Sequence, residues 1–142
     1  MIAKRLSLVL FLFMIVVVSC KKNNTASHLN SGFAPSTEDS LISKGSFVDQ
    51  RHPTSGLVKL YRNSSNYVLS FENFKSDNGP DLRTYLSSNL SDNDFIELGE
   101  LKAVSGNFEY TFDLNTDIDK YKNVLIWCED FSVLFGSATL TK

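Results

Sequence analysis

The chain has 142 residues, with 14 Lys and Arg against 16 Asp and Glu, and two cysteines. A formal net charge of −2 with no Arg cluster or basic stripe excludes the electrostatic footprint of nucleic-acid binding. Two cysteines cannot supply a disulfide framework or a Cys-rich zinc site.

In chain order, residues 1–19 have the parts of an export signal. Lys4 and Arg5 give a positive start, and Leu6 to Val18 form an uncharged apolar run of 13 residues. That is short of the roughly 20 residues a membrane-spanning helix needs. The run ends at Val17-Val18-Ser19-Cys20, which resembles a bacterial lipobox. The resemblance implies cleavage before Cys20, diacylglycerol on its thiol, and attachment to a membrane through that lipid. Several acyl chains would hold the protein far more firmly than one. Loss of Lys4 and Arg5 with the signal takes the net charge from −2 to −4.

Residues 20–40 read as a flexible tether, because their Asn, Ser and Thr content cannot bury enough surface to fold. His28 lies within it as a solvated linker residue. No acidic run follows Cys20, so the surface-export signal of some Bacteroidota lipoproteins is absent. The expectation is a cell-envelope location, lipid-anchored at the outer membrane and facing the periplasm.

Residues 41–142 are long enough for one hydrophobic core. Tyr67, Leu69 and Phe71 alternate with Val68, Ser70 and Glu72, and Phe108, Tyr110 and Phe112 alternate with Glu109, Thr111 and Asp113. A period of two predicts strands with one buried and one wet face. Further strands are predicted at Leu57–Tyr61, Leu82–Leu86, Phe95–Leu98, Val124–Cys128, Phe131–Phe135 and Ala138–Thr141. Turn formers separate them, as at Pro53-Thr54-Ser55-Gly56 and Ser76-Asp77-Asn78-Gly79-Pro80. Only Asp117–Tyr121 offers a helical turn. The expected fold is all-β, an antiparallel β-sandwich or small barrel of roughly eight to nine short strands.

With Cys20 assigned to the lipid, Cys128 is the only remaining thiol. It is buried and inert, paired with another molecule, or chemically used. Trp127 beside it should point to the opposite sheet face, which suits a small, hydrophobic, buried Cys128. Its use as a redox thiol requires exposure and a positive or hydrogen-bonding neighbour. His52, the one histidine of the folded region, is the first candidate partner, against a plain structural histidine. Lys120 and Lys122 precede the Cys128 strand, while Glu129 and Asp130 follow it. Asp81, in Gly79-Pro80-Asp81-Leu82, is either a turn residue or an orienting residue for Cys128 or His52.

No Cys-x-x-Cys-His motif exists, and the chain after Cys20 contains no methionine, which excludes covalent haem of the c type. A noncovalent haem has only His28, His52 or Cys128 as strong ligands, so haem has no supporting motif and the cofactor stays unknown. Asp92-Asn93-Asp94 and Asp117-Ile118-Asp119 lack the ligand pattern of a calcium loop, and no metal site is expected. His52 also lacks the nucleophile elbow of a serine hydrolase.

Taken together, the ordered signals resemble the electron-transfer DM-thirteen domain family across nearly all of residues 45–140. They run from Gly45-Ser46-Phe47 and His52-Pro53-Thr54-Ser55-Gly56, through Asn78-Gly79-Pro80-Asp81-Leu82, Leu98-Gly99-Glu100-Leu101 and Gly106-Asn107-Phe108-Glu109-Tyr110. They close with Ile126-Trp127-Cys128, Phe131-Ser132-Val133-Leu134-Phe135 and Ala138. The resemblance implies a β-rich domain outside the cytoplasm whose characteristic cysteine is Cys128. It implies redox chemistry there, as a bare thiol or by holding a group such as haem, with a redox partner protein in trans. The alternative expectation is a non-enzymatic ligand- or protein-binding envelope lipoprotein in which Cys128 is structural.

Overall fold

The computed structural model describes residues 32–142; the expected export signal, Cys20 and His28 lie outside the described residues. Nine strands form in chain order: β1 (Ser40–Ser46), β2 (Val48–Asp49), β3 (Thr54–Arg62), β4 (Tyr67–Ser76), β5 (Leu82–Ser87), β6 (Phe95–Glu100), β7 (Ser105–Phe112), β8 (Asn123–Cys128) and β9 (Val133–Thr139). They make two antiparallel sheets, ordered β1-β3-β4-β7 and β2-β9-β8-β5-β6. The sheets are open and face each other, so of the two expected architectures the fold is the sandwich. Asp117–Tyr121 forms a single turn closed by the Tyr121 N–H to Asp117 O bond of 2.9 Å.

The core lies between the sheets. Val58 and Leu60 from β3, Leu69, Phe71 and Phe74 from β4, and Phe108 and Tyr110 from β7 meet Leu82, Leu86, Val124, Ile126 and Cys128 from the other sheet. Phe71 stacks on Phe108 with centroids 4.7 Å apart, an aromatic pair worth about 0.5–1.5 kcal/mol beyond its buried area. On β8 the alternation is strict. Val124, Ile126 and Cys128 face the core, while Leu125 and Trp127 face outward into a second small cluster with Tyr85, Phe95 and Leu134. All six residues of β8 are therefore buried.

Three expectations need correction. The outer face of β4 is not wet where it was expected to be: Val68 and Ser70 are buried. Tyr61 pairs across from Val68, and Phe33 packs on Tyr61 at 5.1 Å, so aromatic rings cover that side. Phe131 is not in a strand. Cys128 pairs directly with Val133, and the four residues 129–132 are consumed in reversing the chain. Finally, Gly136 and Ser137 do not interrupt the last hairpin strand. A β-carbon at Gly136 would overlap the side chain of Thr54, so glycine there permits close packing between strands rather than a turn.

Candidate functional site

Strand polarity gathers the sequence-selected residues at one end of the sandwich. β3 starts there at Thr54 and β4 ends at Ser76; β5 starts at Leu82, β8 ends at Cys128 and β9 starts at Val133. The connections at this end carry His52, Asp77, Asp81 and the 129–132 turn. Lys120 and Lys122 lie before β8, at its opposite end, and Lys120 ion-pairs with Asp94 at 3.2 Å. Asp94 is held below the usual carboxylate range by hydrogen bonds from Ser88, Lys120 and Tyr121. The Asp92–Asp94 loop is thus tied by its own polar contacts.

Cys128 is fully buried and unpaired. In the sheet it sits between Leu82 on β5 and Val133 on β9. A bulge between Ile126 and Trp127 sets Phe135 into the core beside this row. Gly79 closes the end. A β-carbon on it would lie 2.9 Å from a Leu82 methyl and 3.1 Å from the far edge of the Phe135 ring. Leu82, Gly79 and Phe135 thus form an apolar lid at the Cys128 end.

His52 lies over the outside of that lid. Its imidazole stacks on Phe135, centroids 3.8 Å apart and planes at 24°. Backbone bonds fix the loop: the Gln50 and His52 N–H groups both donate to Phe135 O, at 3.0 and 3.2 Å, and Arg51 N–H donates to Leu134 O at 3.1 Å. The bulge is what frees the Phe135 carbonyl to accept twice. His52 Nδ1 lies 3.1 Å from Asp77 Oδ2, in a polar contact open to solvent. An exposed pair of this kind contributes about 0–1 kcal/mol.

Asp81 does not orient either candidate. Its carboxylate takes Arg83 Nε at 2.6 Å and a second guanidinium nitrogen at 3.1 Å, and Arg83 also reaches Glu97. Those carboxylates hold the Arg83 guanidinium well above its ordinary pKa, the Asp81 hydrogen bond contributing most. The backbone of Asp81 does act at Cys128, since its carbonyl accepts the Glu129 N–H at 2.9 Å and fixes the strand end.

Sequence reasoning missed Asp77, the carboxylate that His52 does meet, 25 residues away. It also missed Phe135, the ring on which the imidazole stacks. Neither has a local signal, because both depend on the β9 bulge.

Three clefts open at this end, of about 210, 360 and 240 Å³. Neither Cys128 nor His52 lines any of them. A haem iron needs an axial ligand that reaches the group. The Cys128 sulfur is enclosed between strands, and His52 lies flat on Phe135 instead of presenting a nitrogen to an open cavity. These residues do not fit a haem. Among the described residues, no three His, Cys, Asp or Glu side chains converge to hold a metal. What the arrangement can supply is a shielded thiol in the core, at the end of the sandwich where Leu82, Gly79 and Phe135 pack.

A family model described as Electron transfer DM13 matches residues 46–140, which includes every strand from β2 to β9 and both His52 and Cys128. No curated protein and no solved structure matches the chain.

Proposed function

Because the chain belongs to the Electron transfer DM13 family, we propose that it is an extracytoplasmic redox domain centred on the bare thiol of Cys128. The protein is tethered to the envelope membrane by lipid on Cys20, and it exchanges electrons with a partner protein in trans. The observation that carries the reading is the position of Cys128. It is the one cysteine among the described residues, and it is the last residue of β8, at the end where the loops converge and Leu82, Gly79 and Phe135 pack together. Thiol chemistry needs the sulfur to meet its reactant. A fully buried sulfur therefore works only when the lid of Leu82, Gly79 and Phe135 opens locally, a smaller event than unfolding.

Thiol labelling of soluble residues 21–142 in increasing denaturant tests this. Local opening exposes little surface, so labelling should proceed in native buffer at a rate almost independent of low denaturant. A rate that follows global unfolding, with its full denaturant dependence, would overturn the reading.

Complete burial of Cys128 favours one second reading, a non-enzymatic binding lipoprotein in which the sulfur fills core space. The same labelling curve separates the two, since a structural cysteine reacts only through global unfolding.

A further inference from the structure

We propose that the hairpin tip Glu129-Asp130-Phe131 is the docking surface for the partner protein, and that the partner presents an apolar recess rimmed by Lys or Arg. This deepens the redox reading by naming the surface that brings a partner to the Cys128 end.

Phe131 is 67% exposed, more than any other large hydrophobic residue described. It lies three residues after Cys128, in the turn whose Glu129 N–H is fixed to Asp81 O at 2.9 Å. Ser132 holds the turn with φ of 49°, a left-handed conformation that glycine or asparagine adopts more cheaply. That strain has no compensation in packing, because residues 129–132 are all exposed. A large aromatic side chain exposed on a hairpin turn has the size and apolarity of an interface anchor.

Charge selects the occupant. Glu129 and Asp130 directly precede Phe131 in the turn, and no ion pair among the described residues engages either carboxylate. Two unpaired anions beside an apolar anchor complement a basic rim and steer its approach. They also oppose the other occupants. An anionic lipid surface repels them, and a two-fold contact between copies would set like charges face to face. A shallow groove of about 360 Å³ lined by Gln50, Arg51, Ser132, Val133 and Leu134 adjoins the tip.

The test uses full-length protein in the envelope of its native host, with benzophenone-alanine placed at Phe131 and, as controls, at Leu41 and Leu90, which are 51% and 50% exposed. Irradiation should give a discrete protein adduct from position 131 and none from the controls. Glu129→Gln with Asp130→Asn should lower its yield about tenfold, and the crosslinked peptide should carry Lys or Arg beside the attachment point. An adduct with lipid, with a second copy of this chain or with no species above the controls overturns the proposal, as does a protein adduct indifferent to the two charge substitutions. Cys128→Ala should leave the adduct intact, so loss of the thiol reading and loss of the docking surface are separable.

Discussion

The imidazole of His52 lies face to face on the ring of Phe135, 3.8 Å between centroids, and the far edge of that ring reaches Gly79 beside Leu82. Histidine and cysteine therefore share one end of the sandwich, and the ring that carries the imidazole belongs to the apolar lid packed at that end. A histidine in that position stabilises the closed lid by stacking rather than acting on the thiol by direct contact.

His52→Ala should therefore cost about 0.5–1.5 kcal/mol, the value of an aromatic pair, and raise the native labelling rate of Cys128 several-fold. His52→Phe keeps the stacking and loses only the exposed Asp77 contact, so its labelling should stay near wild type. Thermal melts and labelling time courses on both variants check this. Equal acceleration in the two would assign the effect to the His52–Asp77 pair instead.

Two glycines near the lid should differ sharply. A methyl group at Gly136 meets the buried Thr54 side chain on a fixed strand, and accommodating it should cost about 3 kcal/mol or more. At Gly79 the nearest atom is the end of the flexible Leu82 side chain, so Gly79→Ala should cost about 1 kcal/mol. Urea unfolding midpoints distinguish the two.

Tyr110 ties the sheets together. Its hydroxyl donates to Glu100 O at 2.8 Å and accepts from Lys102 N–H at 3.1 Å and from the Thr84 hydroxyl at 3.0 Å. Tyr110→Phe leaves partly buried polar groups without partners and should cost about 1–3 kcal/mol. Burial raises the Tyr110 pKa, with hydrogen bonds from Thr84 and Lys102 opposing it. The folded chain then keeps this proton at a pH where the unfolded chain, with a tyrosine pKa near 10, has released it. Its contribution is complete below about pH 10 and is lost as pH rises through the folded value. Unfolding midpoints at rising alkaline pH should fall more steeply for wild type than for Tyr110→Phe.

Substitutions at Cys128 are not equivalent. Serine places a hydroxyl in the apolar core beside Leu82 and Val133 and should cost about 1–3 kcal/mol unless it finds a partner. Alanine removes one atom from a packed site, and about 1 kcal/mol is expected. Calorimetry should show the larger loss for Cys128→Ser, which makes Cys128→Ala the cleaner variant for function.

The sheets were legible in the sequence where alternation is clean. Leu82–Leu86 and Val124–Cys128 match β5 and β8 to within a residue, and the opposite facing of Trp127 and Cys128 follows from the period. β1 was not legible, because Ser-Leu-Ile-Ser-Lys-Gly-Ser at a sheet edge has no apolar alternation. Phe131 continued the alternation of Val133 and Phe135 into a turn, and only the Cys128–Val133 pairing shows where the strand starts. The pairing of His52 with Asp77, and not with Asp81, depends on loop paths set by the β9 bulge, which no local pattern encodes.

The most direct test of the central claim is the oxidation state of Cys128 in cells, fixed by acid quenching and read by mass-tag alkylation after denaturation. The one other cysteine of the chain is Cys20, and with lipid on it, as proposed, the tag reports Cys128 alone. A redox centre should shift between tagged and untagged forms when the envelope is challenged with diamide and then allowed to recover. Full tagging under every condition would make Cys128 a core residue and contradict the account.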